Sequence, residues 1–331
     1  MKKWISILLL LLCLTGCSET EEKQEQQIFA FDTVMTFTAY GEHASAGIQQ
    51  AIKQIYALEQ QWSVTKEDSE VSRLNQGQQV QIGADTQKVL QKAGAVSRET
   101  DGAFDISIYP LVQAWGFTTG EYRVPSQEQL AGLLRRTGYW KIPEAKESLQ
   151  LPERMEIDLG GIAKGYASEQ AIQILQSVGV EHGIVSLGGN VQTLGVKPDG
   201  KPWKVAIQWP DGQGSAGTVL VQDGAAVITS GDYQRYFEQD GIRYHHILDP
   251  KTGYPAGSEL SSVTVVMKDA ARADGLSTAL FVMGLEKGQI FWKEHRDFEA
   301  VWVTKRGEIF ITPGLKDHFM PEGQRTFSVI G

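Results

Sequence analysis

From Ile157 to Ala167 the chain reads Ile-Asp-Leu-Gly-Gly-Ile-Ala-Lys-Gly-Tyr-Ala. An extended apolar opening passes through the paired glycines Gly160 and Gly161 into residues with helical spacing, which predicts a helix that continues over 168–178. Glycines at such a junction leave backbone N–H groups uncovered at the positive end of a helix dipole, a natural seat for phosphate. A second junction, Val185-Ser186-Leu187-Gly188-Gly189-Asn190, follows. The flanks of the two turns do not match, so they are not an internal repeat.

Asp274 and Thr278 stand four residues apart in a predicted helix over 270–283, so their side chains share one face. A carboxylate and a hydroxyl are hard oxygen donors suited to Mg²⁺, which takes few protein ligands and lets substrate phosphates complete its shell. The same spacing also fits an Asp that caps its own helix, followed by a buried Thr. His245 and His246 are adjacent in a strand-like run, so one ring points into a site and the other away. Asp249-Pro250-Lys251-Thr252-Gly253 is a turn by composition. Tyr109, Trp115 and Phe117 read as core aromatics around the loop Asp101-Gly102-Ala103-Phe104-Asp105.

The N-terminus reads as a processing signal. Lys2 and Lys3 precede an apolar run, 4–14, too short for a settled transmembrane helix. The run ends in Leu14-Thr15-Gly16-Cys17, which resembles the bacterial lipoprotein signal: cleavage after residue 16 and acylation of Cys17. The alternative is an ordinary secretory signal with a chance Cys. Both cysteines, Cys13 and Cys17, lie here, so a mature domain has no thiol for a disulfide or a nucleophile. Residues 17–27, polar and without periodicity, read as a tether after the lipidated Cys17. Residues 28–331 read as one domain, either a single large body or two closely packed lobes, long enough to bury a substantial core. The formal charge of −9 becomes −11 without Lys2 and Lys3, which argues against nucleic acid as a partner.

Periodicity predicts a strand over 28–40, helices over 44–61 and 85–100, a short helix over 126–137 and a strand over 148–157. Further strands and a hairpin about Asp240-Gly241 follow. The second half closes with a helix broken at Gly284 and a strand pair about Arg306-Gly307. The mixture is α+β, with helices covering an antiparallel-rich sheet.

In order, the blocks DGAFDISIYPLVQAWGF, IDLGGIAKGYA, SLGGN, SGDY-R-F, YHHILDPKTGYP and ADGLSTALFVMG resemble the ApbE-like FAD:protein FMN transferases. Asp68-Ser69-Glu70-Val71-Ser72-Arg73-Leu74-Asn75 also fits. The resemblance implies a T-fold-like α+β architecture and an enzyme that uses FAD and Mg²⁺ to place FMN on a threonine of a partner protein, releasing AMP. It implies Mg²⁺ ligation by Asp274, Thr278 and the carbonyl of Ala163. It implies FAD contacts at Ala103, Phe104, Asp105, Gly160 and Tyr166, and a catalytic role for His246. The acceptor would be an exported flavoprotein with an FMN-binding domain or a subunit of a membrane redox complex. The anchored domain would face the extracytoplasmic side of the cell membrane. Departures from the pattern are Gly275, Phe31-Asp32-Thr33 and Thr65, where the family often has Ala, Met-Gly-Thr and an aromatic. The residues alone leave open FAD hydrolysis to FMN and AMP, or a lipid-anchored FAD-binding protein without chemistry.

Overall fold

The computed structural model describes residues 21–221 and 224–331. The expected signal 1–16, Cys17 and the first part of the expected tether lie outside the described residues. Among the described residues no helix is long and apolar enough to cross a membrane.

The chain enters as a hairpin of β1 (Lys23–Ala30) and β2 (Thr33–Tyr40), with Lys23 opposite Tyr40 and Gln27 opposite Thr36. Two expectations are corrected. Residues 23–27 are strand, not tether, and 28–40 is two strands folded at Phe31-Asp32. Both turn residues have positive φ, 49° and 58°, in a position that usually signals itself by Asn or Gly. Backbone pairing makes β1 a strand, and polar side chains suit an outermost strand because they discourage further pairing.

Helix α1 (Ala44–Trp62) buries the predicted stripe Ile48, Ile52, Ile55 and Leu58. Helix α2 (Glu70–Asn75) starts at Ser69, whose Oγ accepts the Ser72 N–H at 2.9 Å. Then come β3 (Val80–Gln81), α3 (Ala84–Glu99), α4 (Tyr109–Ala114), α5 (Gln127–Leu134) and β4 (Ser148–Leu149). The strand expected over 148–157 pairs only through β4, with β3. At its far end the Asn75 amide stands in for a neighbouring strand. Its Nδ2 donates to the Ile157 carbonyl at 2.9 Å and its Oδ1 accepts the Ile157 N–H at 2.8 Å. The chain goes on through α6 (Ala163–Ser177), β5 (Gly183–Leu187), β6 (Asn190–Leu194), β7 (Trp203–Gln208), β8 (Ser215–Val221) and β9 (Ala226–Gly231). The hairpin β10 (Tyr236–Gln239) and β11 (Ile242–His245) precedes β12 (Leu260–Met267) and α7 (Ala270–His295), which breaks at Gly284 as expected (φ 79°). Strands β13 (Glu299–Thr304), β14 (Ile309–Ile311), β15 (Phe319–Pro321) and β16 (Phe327–Val329) end the fold.

Nine strands form one sheet in the order β1-β2-β5-β6-β9-β12-β13-β14-β16, antiparallel except for β14 with β16. This is the α+β arrangement expected. Helices α1, α3, α6 and α7 pack on one face, and the small sheet β15-β8-β7 covers part of the other. Strand alternation divides the side chains: Ala300 and Trp302 of β13 join the helix-side core, while Val301 and Val303 join the small-sheet core. A third cluster, Leu111, Trp115, Phe117, Leu130 and Leu248, packs with Phe237, Tyr244 and Tyr254. There Trp115 Nε1 donates to the Gly253 carbonyl at 2.8 Å, so the turn at 249–253 is tied to the aromatic cluster. Helices α6 and α7 cross at Gly165, where a Cβ would lie 2.2 Å from the Ala270 carbonyl oxygen and 2.8 Å from Asp274 Cβ. Only glycine permits that approach, and the approach builds the site.

Candidate functional site

Helix α7 is capped by Asp269, whose Oδ1 accepts the Arg272 N–H at 2.8 Å. Asp274 therefore is not the cap of its own helix. It is buried one turn inside, and its Oδ2 accepts the Gly165 N–H at 2.9 Å, serving the first turn of α6 instead. Its second oxygen has no protein partner among the described residues. Thr278 follows one turn on, its Oγ1 3.2 Å from Ser230 Oγ at the end of β9. Ser230 Oγ also lies 2.7 Å from Ser277 Oγ. A Cβ on Gly161 would come within 2.9 Å of the Phe104 ring and 3.8 Å of Thr278 Oγ1. The bare glycine thus lets the Phe104 ring approach the turn, with Thr278 close by, and these residues line the candidate cradle. Ala163 begins α6 beside it.

The structure thus brings Phe104, Gly160, Gly161, Ala163, Asp274 and Thr278 together. Among the described residues no three His, Cys, Asp or Glu side chains form a metal cluster. The donors at the helix crossing are one carboxylate, one hydroxyl and backbone carbonyls. Such a hard, sparse set fits a cation whose remaining ligands are phosphate and water oxygens, which is the habit of Mg²⁺.

The Gly-Gly turn departs from expectation at one donor. The Gly160 N–H is not bare, because Asp158 Oδ1 accepts it at 2.8 Å. Burial pushes the Asp158 carboxyl above its ordinary range, against the pull of the Gly160 N–H, Lys164 and Arg235. Lys164 Nζ donates to the Gly160 carbonyl at 3.3 Å, closing the other side of the turn.

His245 and His246 do face opposite ways. His245 is 5 % exposed, edge-on to Phe281, with Nε2 3.2 Å from the Ala256 carbonyl. His246 is half-buried beside Phe117. Its backbone N–H and its Nδ1 both meet the Arg235 carbonyl oxygen, at 3.0 and 3.2 Å. A carbonyl only accepts, so Nδ1 carries the proton and Nε2 keeps the lone pair. Burial pushes His245 down to about 4 and His246 down to about 3, with the Arg235, His245 and Lys164 charges adding to the effect on His246. Both folded values are depressed, so these rings favour the folded chain fully above about pH 6.5, and that contribution is lost as pH falls toward the folded values. In a pH titration followed by NMR, neither ring signal should move between pH 8 and 5. Movement of the His246 signal near pH 6.5 would show the ring to be solvated.

The side chains of two expected flavin contacts are engaged within the fold. The Tyr166 ring is 1 % exposed, packs edge-on against Trp62 at 5.4 Å, and its hydroxyl donates to Asp85 at 2.8 Å. It lies on the side of α6 that faces α1, so its side chain supports the helix and does not line the cradle. Asp105 spends both oxygens on the fold: Oδ1 accepts from the Ser107 N–H and hydroxyl, and Oδ2 accepts the Tyr139 N–H. Ala103 is buried in the same loop. Asp158, Lys164, Ser230 and Arg235 are site residues that sequence reasoning did not assign. The first two flank the Gly-Gly turn, where charge beside paired glycines was the available signal.

The sequence profile of the ApbE family matches residues 31–302. The FAD:protein FMN transferase of Vibrio cholerae serotype O1 is 37 % identical over 305 residues, spanning 87 % of this chain and 90 % of that protein. The solved ApbE protein of Thermotoga maritima superposes with a TM-score of 0.84 at 34 % identity, over 90 % of this chain and 99 % of that one. The flavin transferase ApbE from Vibrio cholerae superposes with a TM-score of 0.81 at 30 % identity, over 90 % and 99 % of the two chains. With a profile spanning most of the domain and relatives aligned nearly end to end, this chain belongs to the ApbE family.

Proposed function

We propose that this protein transfers the FMN half of FAD to a threonine hydroxyl of a partner flavoprotein and releases AMP. The observation that carries the reading is the Asp274–Thr278 face of α7 set against the Gly160-Gly161 entry of α6, with Phe104 as the adjoining wall. Mg²⁺ would be held by Asp274, Thr278 and the Ala163 carbonyl, and when bound it supplies charge neutralisation at the diphosphate.

The chain's own residues do the rest. In the reaction a bond forms between the threonine oxygen and the FMN phosphorus, and the bond from that phosphorus to the bridging oxygen breaks. AMP leaves with that oxygen. The threonine proton needs an acceptor, and the neutral His246 offers its Nε2 lone pair. Burial keeps this ring uncharged at neutral pH, so the lone pair needs no prior deprotonation, and the same burial lowers its basicity. Lys164 holds the turn carbonyl at Gly160, and Phe104 presents an apolar ring beside the cradle. The relatives named as FAD:protein FMN transferases support this reading.

We place the domain at the extracytoplasmic face of the cell membrane, held by acylated Cys17. An exported protein with an FMN-binding domain or a membrane redox subunit is the partner class. Purified protein mixed with FAD, Mg²⁺ and such an acceptor should yield an acceptor that stays fluorescent through denaturing electrophoresis and gains the mass of FMN. AMP produced at the same rate without acceptor, and no labelled acceptor, would replace transfer by hydrolysis. A Cys17→Ser chain should leave the membrane fraction.

A further inference from the structure

Arg235 lies in the loop before β10, and its guanidinium is ion-paired with Asp32 in the β1–β2 turn. Both side chains are exposed, so the pair contributes little to stability. The turn nevertheless holds Asp32 at a φ of 58°, in the left-handed region that L residues enter at a cost. It is also anchored to α1. The Phe31 N–H donates to Glu59 Oε1 at 2.7 Å, and the Phe31 ring stands edge-on to Trp62. Asp32 is therefore a carboxylate carried on a held backbone and paired with one arginine.

Arg235 is also joined to the site. Its carbonyl oxygen receives both His246 donors. Its positive charge reaches Asp158 and His246, and so does that of Lys164. Lys164 is itself secured on the Gly160 carbonyl. Lys164 is thus tied to the Gly-Gly turn itself and the Arg235 backbone to His246, and the charges of both cations are felt at Asp158. On a chain of formal charge −9 these are two cations set beside the Gly-Gly turn, each already held by an oxygen of the protein. A guanidinium there presents a planar fork that matches phosphate oxygens.

We infer that Arg235 binds the diphosphate of the incoming dinucleotide and that Asp32 is a positioning residue that holds the guanidinium at that place before the ligand arrives. This rests on the proposed flavin transfer, and names the diphosphate contact within it. Asp32 acts only through Arg235, so its effect must vanish when the guanidinium is gone.

Binding of FAD and of inorganic pyrophosphate, each with Mg²⁺, is measured by calorimetry on the full chain and on Arg235→Gln, Arg235→Lys, Asp32→Asn and the Asp32→Asn/Arg235→Gln double variant. Melting curves verify the fold. Arg235→Gln should weaken both ligands roughly tenfold to a hundredfold, the size of a lost charge-assisted hydrogen bond. Arg235→Lys should fall between it and the wild type. Asp32→Asn should weaken binding a few-fold on its own and not at all in the Arg235→Gln background. Unchanged binding by Arg235→Gln overturns the inference and leaves flavin transfer standing, and so does an Asp32→Asn effect that persists without Arg235. A wild type that takes pyrophosphate through Arg235 but not FAD overturns the flavin reading alone. A wild type that takes neither overturns both.

Discussion

Asp274→Asn should lower FMN transfer by about 10²–10³-fold while leaving the fold nearly intact. The substitution removes the carboxylate charge at the helix crossing but keeps an oxygen that accepts the Gly165 N–H, now held at 2.9 Å. Asp274→Ala removes both. A buried N–H without a partner costs about 1–3 kcal/mol, so the alanine variant should melt below the asparagine variant. The pair of variants separates the two tasks of one side chain: charge for the cation and an acceptor for α6. Transfer rates measured across a Mg²⁺ titration, alongside thermal melts, would test it. Full transfer by Asp274→Asn at limiting Mg²⁺ would remove the carboxylate from the cation site.

Gly165→Ala should be more damaging to the fold than any exchange on the cradle rim. Its Cβ would lie 2.2 Å from the Ala270 carbonyl oxygen and 2.8 Å from Asp274 Cβ. Both obstacles belong to the frame of α7, so no side-chain rotation relieves them, and the two helices must part. Overpacking of this kind costs about 3 kcal/mol or more. The separation also draws Asp274 and Thr278 away from the Gly160-Gly161 turn, so FAD binding should fall with stability. Denaturant unfolding and FAD titration check both limbs. A variant as stable as the wild type that still binds FAD would mean the crossing is looser than the structure shows. Gly161→Ala makes the complementary case: its Cβ would meet the far edge of the Phe104 ring at 2.9 Å, so binding should suffer more than stability.

The helix-borne elements of the candidate site were legible because their signals are local. The Asp274–Thr278 spacing, the glycine pair and the break at Gly284 each act within a few residues. The β1–β2 hairpin was not legible for the opposite reason. Lys23-Gln24-Glu25-Gln26-Gln27 has no apolar alternation, and its pairing comes from the backbone of β2, while Phe31-Asp32 carries no Asn or Gly to announce a turn. The resemblance implies ligand contacts at Tyr166 and Asp105, and spacing alone does not say which way their side chains lean. The partners that decide it, Trp62 and Asp85 for one and Ser107 and Tyr139 for the other, come from other segments. Arg235 was hidden by the same distance, since it reaches Asp32 across 203 positions.

His246 has neighbours that belong to different apolar bodies. Ile247 is part of the helix-side core and Leu248 of the cluster around Trp115, while the imidazole itself abuts Phe117 of that cluster. The ring is a seam stitch between two separately packed masses, and its aim depends on how they are fitted together. Asp274 has no such dependence, being lodged wholly within the larger mass. A repacking of Leu130 or Trp115 would thus misdirect the proposed proton acceptor while sparing the proposed cation ligand, so the two halves of the proposed chemistry could be impaired separately.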